Sequence, residues 1–69
     1  MIAILFSFEQ KGFHIETLDE YMQSNLKATA LKKDHQYRLV ATADTYETAD
    51  WVCDYLSSKE PFKSIINNI

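Results

Sequence analysis

The chain opens on a run in which both alternating sets of positions are apolar. Ile2, Ile4, Phe6 and Phe8 form one set; Ala3, Leu5 and Ser7 form the other, with Ser7 alone polar. A half-exposed strand alternates polar and apolar residues, whereas a strand covered on both sides does not. Met1–Phe8 therefore predicts a central strand. Glu9-Gln10-Lys11-Gly12 breaks the run as a turn, with Gly12 free to take positive φ. Phe13-His14-Ile15 reads either as a short strand paired back on the first, or as a loop that tucks its aromatic ring under the sheet.

The period changes at Thr17. Thr17-Leu18-Asp19-Glu20 has the form of a capping box, in which Thr17 accepts from the Glu20 amide and Glu20 reaches back to the Thr17 amide. A helix follows to about Leu31. Leu18, Tyr21, Met22, Leu26 and Thr29 lie along one side, and Glu20, Gln23, Ser24 and Lys27 along the other. Asn25 falls within the apolar stripe and reads as a partly exposed amide bonded to a loop. Lys32-Lys33-Asp34-His35 ends the helix, with lysines where its dipole favours cations. Tyr37–Ala43 alternates again: Tyr37, Leu39, Ala41 and Ala43 against Arg38, Val40 and Thr42.

Asp44-Thr45-Tyr46-Glu47 opens a second helix, with Asp44 as N-cap and Glu47 at N3. At about 100° per residue this helix has three sectors. Ala49, Val52, Cys53 and Leu56 make a core stripe. Glu47, Asp50 and Asp54 make an acidic stripe on the far side. Trp51, Tyr55 and Ser58 lie between, nearer the acids. After Pro61, Phe62–Ile69 fits two patterns. Phe62, Ile65, Ile66 and Ile69 have helical spacing, yet the segment is short and Asn67-Asn68 form helix poorly. A strand returning after a helix is the expected continuation, with a helix as the alternative.

These elements predict an α/β two-layer sandwich in β-α-β-α-β order. Two helices would pack on a three-stranded sheet, four-stranded if Phe13–Ile15 pairs. Right-handed crossovers would make the strand pairs parallel. Residues 1–69 form a single domain on this reading. The sheet edges would let two copies join as a homodimer. The element order is similar to that of small ferredoxin-like domains, with no motif to carry the likeness further.

Composition excludes several classes. Hydrophobic residues are 46% and charged residues 25% of the chain, with one Gly and one Pro, as in an ordinary globular protein. No apolar run approaches the ~20 residues of a membrane span. No charged segment precedes the first strand, so a signal peptide is not expected. The lone Cys53 has no disulfide partner in the chain, which points to a reducing, cytoplasmic setting. The net charge of −3 sits entirely in residues 44–69, since residues 1–43 carry five basic and five acidic groups. No basic stripe for nucleic acid is present, so direct nucleic-acid binding is not expected.

The candidate chemistry is sparse. His14, His35 and Cys53 have no spacing that builds a metal site, and His14 and His35 read as ordinary histidines. Cys53 sits on the core stripe, where a thiol is inert. Gly12, the one glycine, stands in no phosphate-binding motif. No catalytic residue, metal or cofactor is assigned. Two readings follow. The first is a non-enzymatic interaction or regulatory module that binds a protein with a basic surface through Trp51, Tyr55, Glu47, Asp50 and Asp54. The Ile-, Asn- and Lys-rich tail suits a small phage or bacterial accessory protein that inhibits or modulates such a partner. The second is a dimeric metal-dependent nuclease or hydrolase. It would use Glu9 and Asp44, which parallel strands would bring to one sheet edge.

Overall fold

The first strand, β1 (Ile2–Ser7), is buried at every position, and the rest of the fold is arranged to make that so. The computed structural model describes residues 1–33 and 36–68. The expectations for Asp34 and His35 at the helix end, and for Ile69 as the last apolar position, fall outside the described residues. The chain continues through β2 (Gly12–Thr17), α1 (Leu18–Ala30), β3 (Tyr37–Ala43), α2 (Tyr46–Ser57) and α3 (Phe62–Asn67).

Both neighbours of β1 are antiparallel to it, in the order β2-β1-β3. This corrects the parallel arrangement expected from sequence. Phe13–Ile15 does pair, as part of β2, with Leu5 opposite His14 and Phe6 opposite Phe13. The hairpin reverses the chain before α1. The crossover through α1 therefore joins β2 to β3, which run the same way with β1 between them. The pairing of β1 with β3 slips once, from Ile4 opposite Ala41 to Leu5 opposite Leu39. Val40 is the extra residue of this bulge.

The turn is built differently from the sequence expectation. Lys11, at φ 57°, takes the left-handed conformation, and Gly12 does not. The Lys11 amide donates to the Ser7 carbonyl at 2.8 Å, and the Gln10 amide donates to Ser7 Oγ at 3.0 Å. These bonds explain how Ser7, the one buried polar residue among those described, is tolerated in the sheet.

One face of the sheet carries Ile2, Ile4 and Phe6. Ile2 and Ile4 join Ala43 and Ala49 in the core, with Phe13, Ile15, Ala41, Val52 and Cys53 packed around them. Phe6 lies 4.9 Å from both Phe13 and Phe62 by ring centroids, in edge-on contacts. Phe62 comes from α3, so the last segment packs on the sheet as a helix. This corrects the strand expected there. Its half-buried Phe62, Ile65 and Ile66 keep the i, i+3, i+4 spacing. With β2 beside β1, the sheet has its third strand without the C-terminal segment.

The other face carries Ala3, Leu5 and Ser7, all fully buried. His14 and Tyr37 stand on the two strands that flank β1, with ring centroids 5.3 Å apart. Flanking strands are separated by about 9.5 Å. The two rings meet only by leaning over β1, where they help to close it.

The α1 capping box forms as expected. The Glu20 amide donates to Thr17 Oγ1 at 3.2 Å, and the Thr17 amide donates to Glu20 Oε1 at 3.2 Å. The hydrogen bonds from the Thr17 hydroxyl and then its amide hold the Glu20 carboxyl below its usual range. The helix stops at C-cap Leu31. Lys32 adopts φ 57°, its amide donates to Thr29 O, and the Lys33 amide donates to Ala28 O. This is a Schellman ending with lysine in the position glycine usually takes. The order among the described residues is thus β-β-α-β-α-α, a small α/β domain in which three helices, not two, pack on the sheet.

Leu5→Asp should leave no folded population. Burying a carboxylate there costs several kcal/mol, against a total stability of roughly 3–10 kcal/mol for a chain this size. Far-UV circular dichroism checks this; a cooperative melt in Leu5→Asp would show that the second face is open.

Candidate protein-binding face

The face is set by how α2 begins. Thr45, extended at φ −136°, is the N-cap, and its Oγ1 accepts from the Thr48 amide at 3.1 Å. The expected N-cap, Asp44, lies one residue too early and is exposed. N3 is accordingly Thr48. Glu47 remains in the first turn, where its charge suits the helix dipole.

From this start, Ala49 is fully buried, Val52 and Cys53 pack against the core, and Leu56 is half-buried. This is the core stripe expected from sequence. The opposite side faces water. Trp51 is 65% exposed and Tyr55 49% exposed. Their rings stack with centroids 5.5 Å apart and planes 13° from parallel. Trp51 is not covered by the C-terminal segment, which inserts Phe62 into the sheet's aromatic cluster. Glu47, Asp50 and Asp54 are all exposed beside the stacked rings. Among the described residues, none of the three carboxylates forms an ion pair.

Lys59 is a member of the face that the sequence reading passed over. Its Nζ lies 5.2 Å from the centroid of the Tyr55 ring. The signal was present, because Tyr55 and Lys59 are also four residues apart. This cation closes the C-terminal end of the acidic stripe. The arrangement offers a flat aromatic surface whose stack is already formed, with carboxylates along one margin.

Cys53 lies on the core side of α2. Burial first, then the Asp50 and Asp54 carboxylates, push its thiol above the ordinary value. Such a thiol is a poor nucleophile at neutral pH.

The strand-end acids do not come together. Ser7 at the end of β1 pairs with Tyr37, and Ala43 at the end of β3 pairs with Ile2. Glu9 and Asp44 therefore follow opposite ends of the sheet, separated by about the 17 Å length of β1. This corrects the shared edge on which the hydrolase reading depended. Among the described residues, no group of three His, Cys, Asp or Glu side chains could hold a metal ion. His14 forms a 3.7 Å pair with Glu16 along β2 and nothing larger.

A groove of about 460 Å³ runs between α1 and the start of β3, bordered by Tyr21, Asn25, Lys33, Tyr37 and Arg38. No helix among the described residues is long and apolar enough to cross a membrane. No family model, curated protein or solved structure matches the chain.

Cys53 should react slowly with a thiol reagent in the native protein and quickly after unfolding. Its folded pKa is raised, so the stability it contributes is full below the ordinary thiol value of about 9 and is lost as pH rises past it. Urea melts at neutral and alkaline pH should therefore show a larger alkaline loss in the wild type than in Cys53→Ala. An equal loss in both would contradict the assignment.

Proposed function

We propose that the protein is a non-enzymatic interaction module that regulates a protein partner through the outer face of α2. The observation that carries this reading is Trp51, a large aromatic left 65% exposed and stacked on Tyr55. A fold of this size has few residues with which to build a core, and it leaves its only tryptophan outside. Tryptophan and tyrosine supply much of the energy of protein interfaces, and a stack that exists before binding costs little entropy to use.

The carboxylates of Glu47, Asp50 and Asp54 favour a partner with a basic surface. They would act mainly on the rate of encounter, since rim charges steer association more than they hold a complex together. A cytoplasmic setting and a role as a small phage or bacterial accessory factor belong to the same reading. So does self-association. A sheet edge was the expected route, and β3 is one such edge. Its bulge at Val40 hinders regular pairing with another strand.

Partner capture from the source cells, followed by affinity measurement with purified components, tests the α2 face. Trp51→Ala should weaken binding by about 2 kcal/mol or more. Its melting temperature should barely change, because the side chain is mostly exposed. Asp50→Lys with Asp54→Lys should slow association, and more so at low salt. A large loss of stability in Trp51→Ala, or unchanged affinity in a folded variant, would remove this face as the site.

A further inference from the structure

The Trp51–Tyr55 stack has two outer faces, and the chain itself fills one of them. Lys59 Nζ lies over the Tyr55 ring, 5.2 Å from its centroid. The two rings are 5.5 Å apart, too close to admit an ammonium between them. Lys59 therefore sits on the face of the phenol turned away from Trp51. Its backbone is held on both sides. The Lys59 amide donates to the Leu56 carbonyl at 3.0 Å, and the Lys59 carbonyl accepts from the Lys63 amide at 2.8 Å. One end of the stack is thus closed by a cation on an anchored residue.

The other end is open. Tyr55 follows Trp51 by one turn, so the outer face of the indole is turned towards the start of α2. Among the described residues, no other ring and no cation lies on that face, and Trp51 is 65% exposed. Glu47 stands one turn before Trp51 on the same line of the helix. The line therefore reads Glu47, Trp51, Tyr55, Lys59: an anion, two rings and a cation. The gap in it falls between the carboxylate and the indole. Asp54, three residues after Trp51, lies on the same flank as Glu47.

The chemistry of the gap selects its occupant. An indole face attracts cations more strongly than any other aromatic side chain does. The carboxylate beside it adds a second attraction at right angles to the first. A guanidinium satisfies both at once, because it is planar enough to stack and carries paired N–H groups along its edge for a carboxylate. An ammonium is compact and strongly hydrated, and it gains less from a flat face.

We propose that the outer face of Trp51 receives an arginine side chain of the partner protein, with its guanidinium stacked on the indole and paired with Glu47. The partner's arginine continues the arrangement that Lys59 makes on Tyr55, so that the stack carries a cation at each end. Asp50 and Asp54 draw the arginine in and do not contact it. The proposal rests on the interaction reading above and narrows its basic partner to one that presents an exposed arginine.

Three synthetic peptides test it. They are built of glycine and serine and differ only in carrying arginine, lysine or citrulline at the same positions. Trp51 is the only tryptophan, so its emission reports from the site itself. Anisotropy of labelled peptides gives the dissociation constants, and far-UV melts confirm that each variant folds. The arginine peptide should shift Trp51 emission and bind at least about fivefold tighter than the lysine peptide. The citrulline peptide, planar but uncharged, should bind at least about tenfold more weakly than the arginine peptide. Glu47→Gln should cut the preference for arginine over lysine to less than about twofold, whereas Asp50→Asn should weaken both peptides alike and less so at high salt. Trp51→Leu, followed by anisotropy, should bring the two cationic peptides to equal affinity. If the lysine peptide shifts Trp51 emission and binds as tightly as the arginine peptide, the arginine site is wrong and the α2 face stands as a surface for basic partners in general. An arginine preference unchanged in Glu47→Gln would overturn the placement between Trp51 and Glu47. If no peptide moves Trp51 emission at low salt, both this proposal and the basic-partner reading fail.

Discussion

The constraint on which the structure depends is the burial of β1 on both faces. Ile2, Ile4 and Phe6 require cover on one side, Ala3 and Leu5 on the other, and a chain of 69 residues has little material with which to supply it. The fold meets the first demand with two helices, α2 and α3. It meets the second partly with side chains of the sheet itself, through His14 and Tyr37. Antiparallel pairing with β2 follows from economy of chain, and the crossover through α1, which lays β3 in the direction of β2, makes β3 antiparallel to β1 as well. A hairpin through a short turn places β2 beside β1 at once, where a parallel neighbour would need a long crossover first.

What was legible in the sequence was whatever local chemistry determines. The doubled apolar pattern of Met1–Phe8 marked the central strand, since no exposed strand could carry it. Thr17 and Glu20 marked the start of α1, because a capping box is satisfied within four residues. Ala49, Val52 and Cys53 marked the inward side of α2, but the angle of Trp51 to them did not say whether the C-terminal segment would cover it. The identity of the α2 cap was a closer contest. Asp44 and Thr45 are both good N-caps, and only the extended backbone at Thr45 separates them.

What was not legible depended on where distant elements lie. Phe62, Ile65 and Ile66 have helical spacing, but eight apolar-rich residues satisfy a strand as well. The outcome is fixed by Phe62 meeting Phe6 and Phe13, a contact some fifty residues away in the chain. The strand directions, and with them the separation of Glu9 from Asp44, hinged on whether Phe13–Ile15 paired. Leaving that segment open left the sheet topology open too. Likewise, the stripe on α1 forecast one buried face and could not foresee that the helix turns Met22 and Leu26 away from the sheet.

The net charge of the chain lies where the exposed aromatic stack does. The half of the sequence that contains α1 is electrically neutral, and the half that contains α2 holds the whole net charge of −3. Because the apolar side chains of α2 are drawn to the sheet by the need to cover β1, its outer positions are left to Glu47, Asp50 and Asp54 beside Trp51 and Tyr55. On the proposed interaction reading, the constraint that builds the core also sets out the face: charge would guide a basic partner towards an aromatic stack that is formed before binding, so that little ordering would be needed at contact.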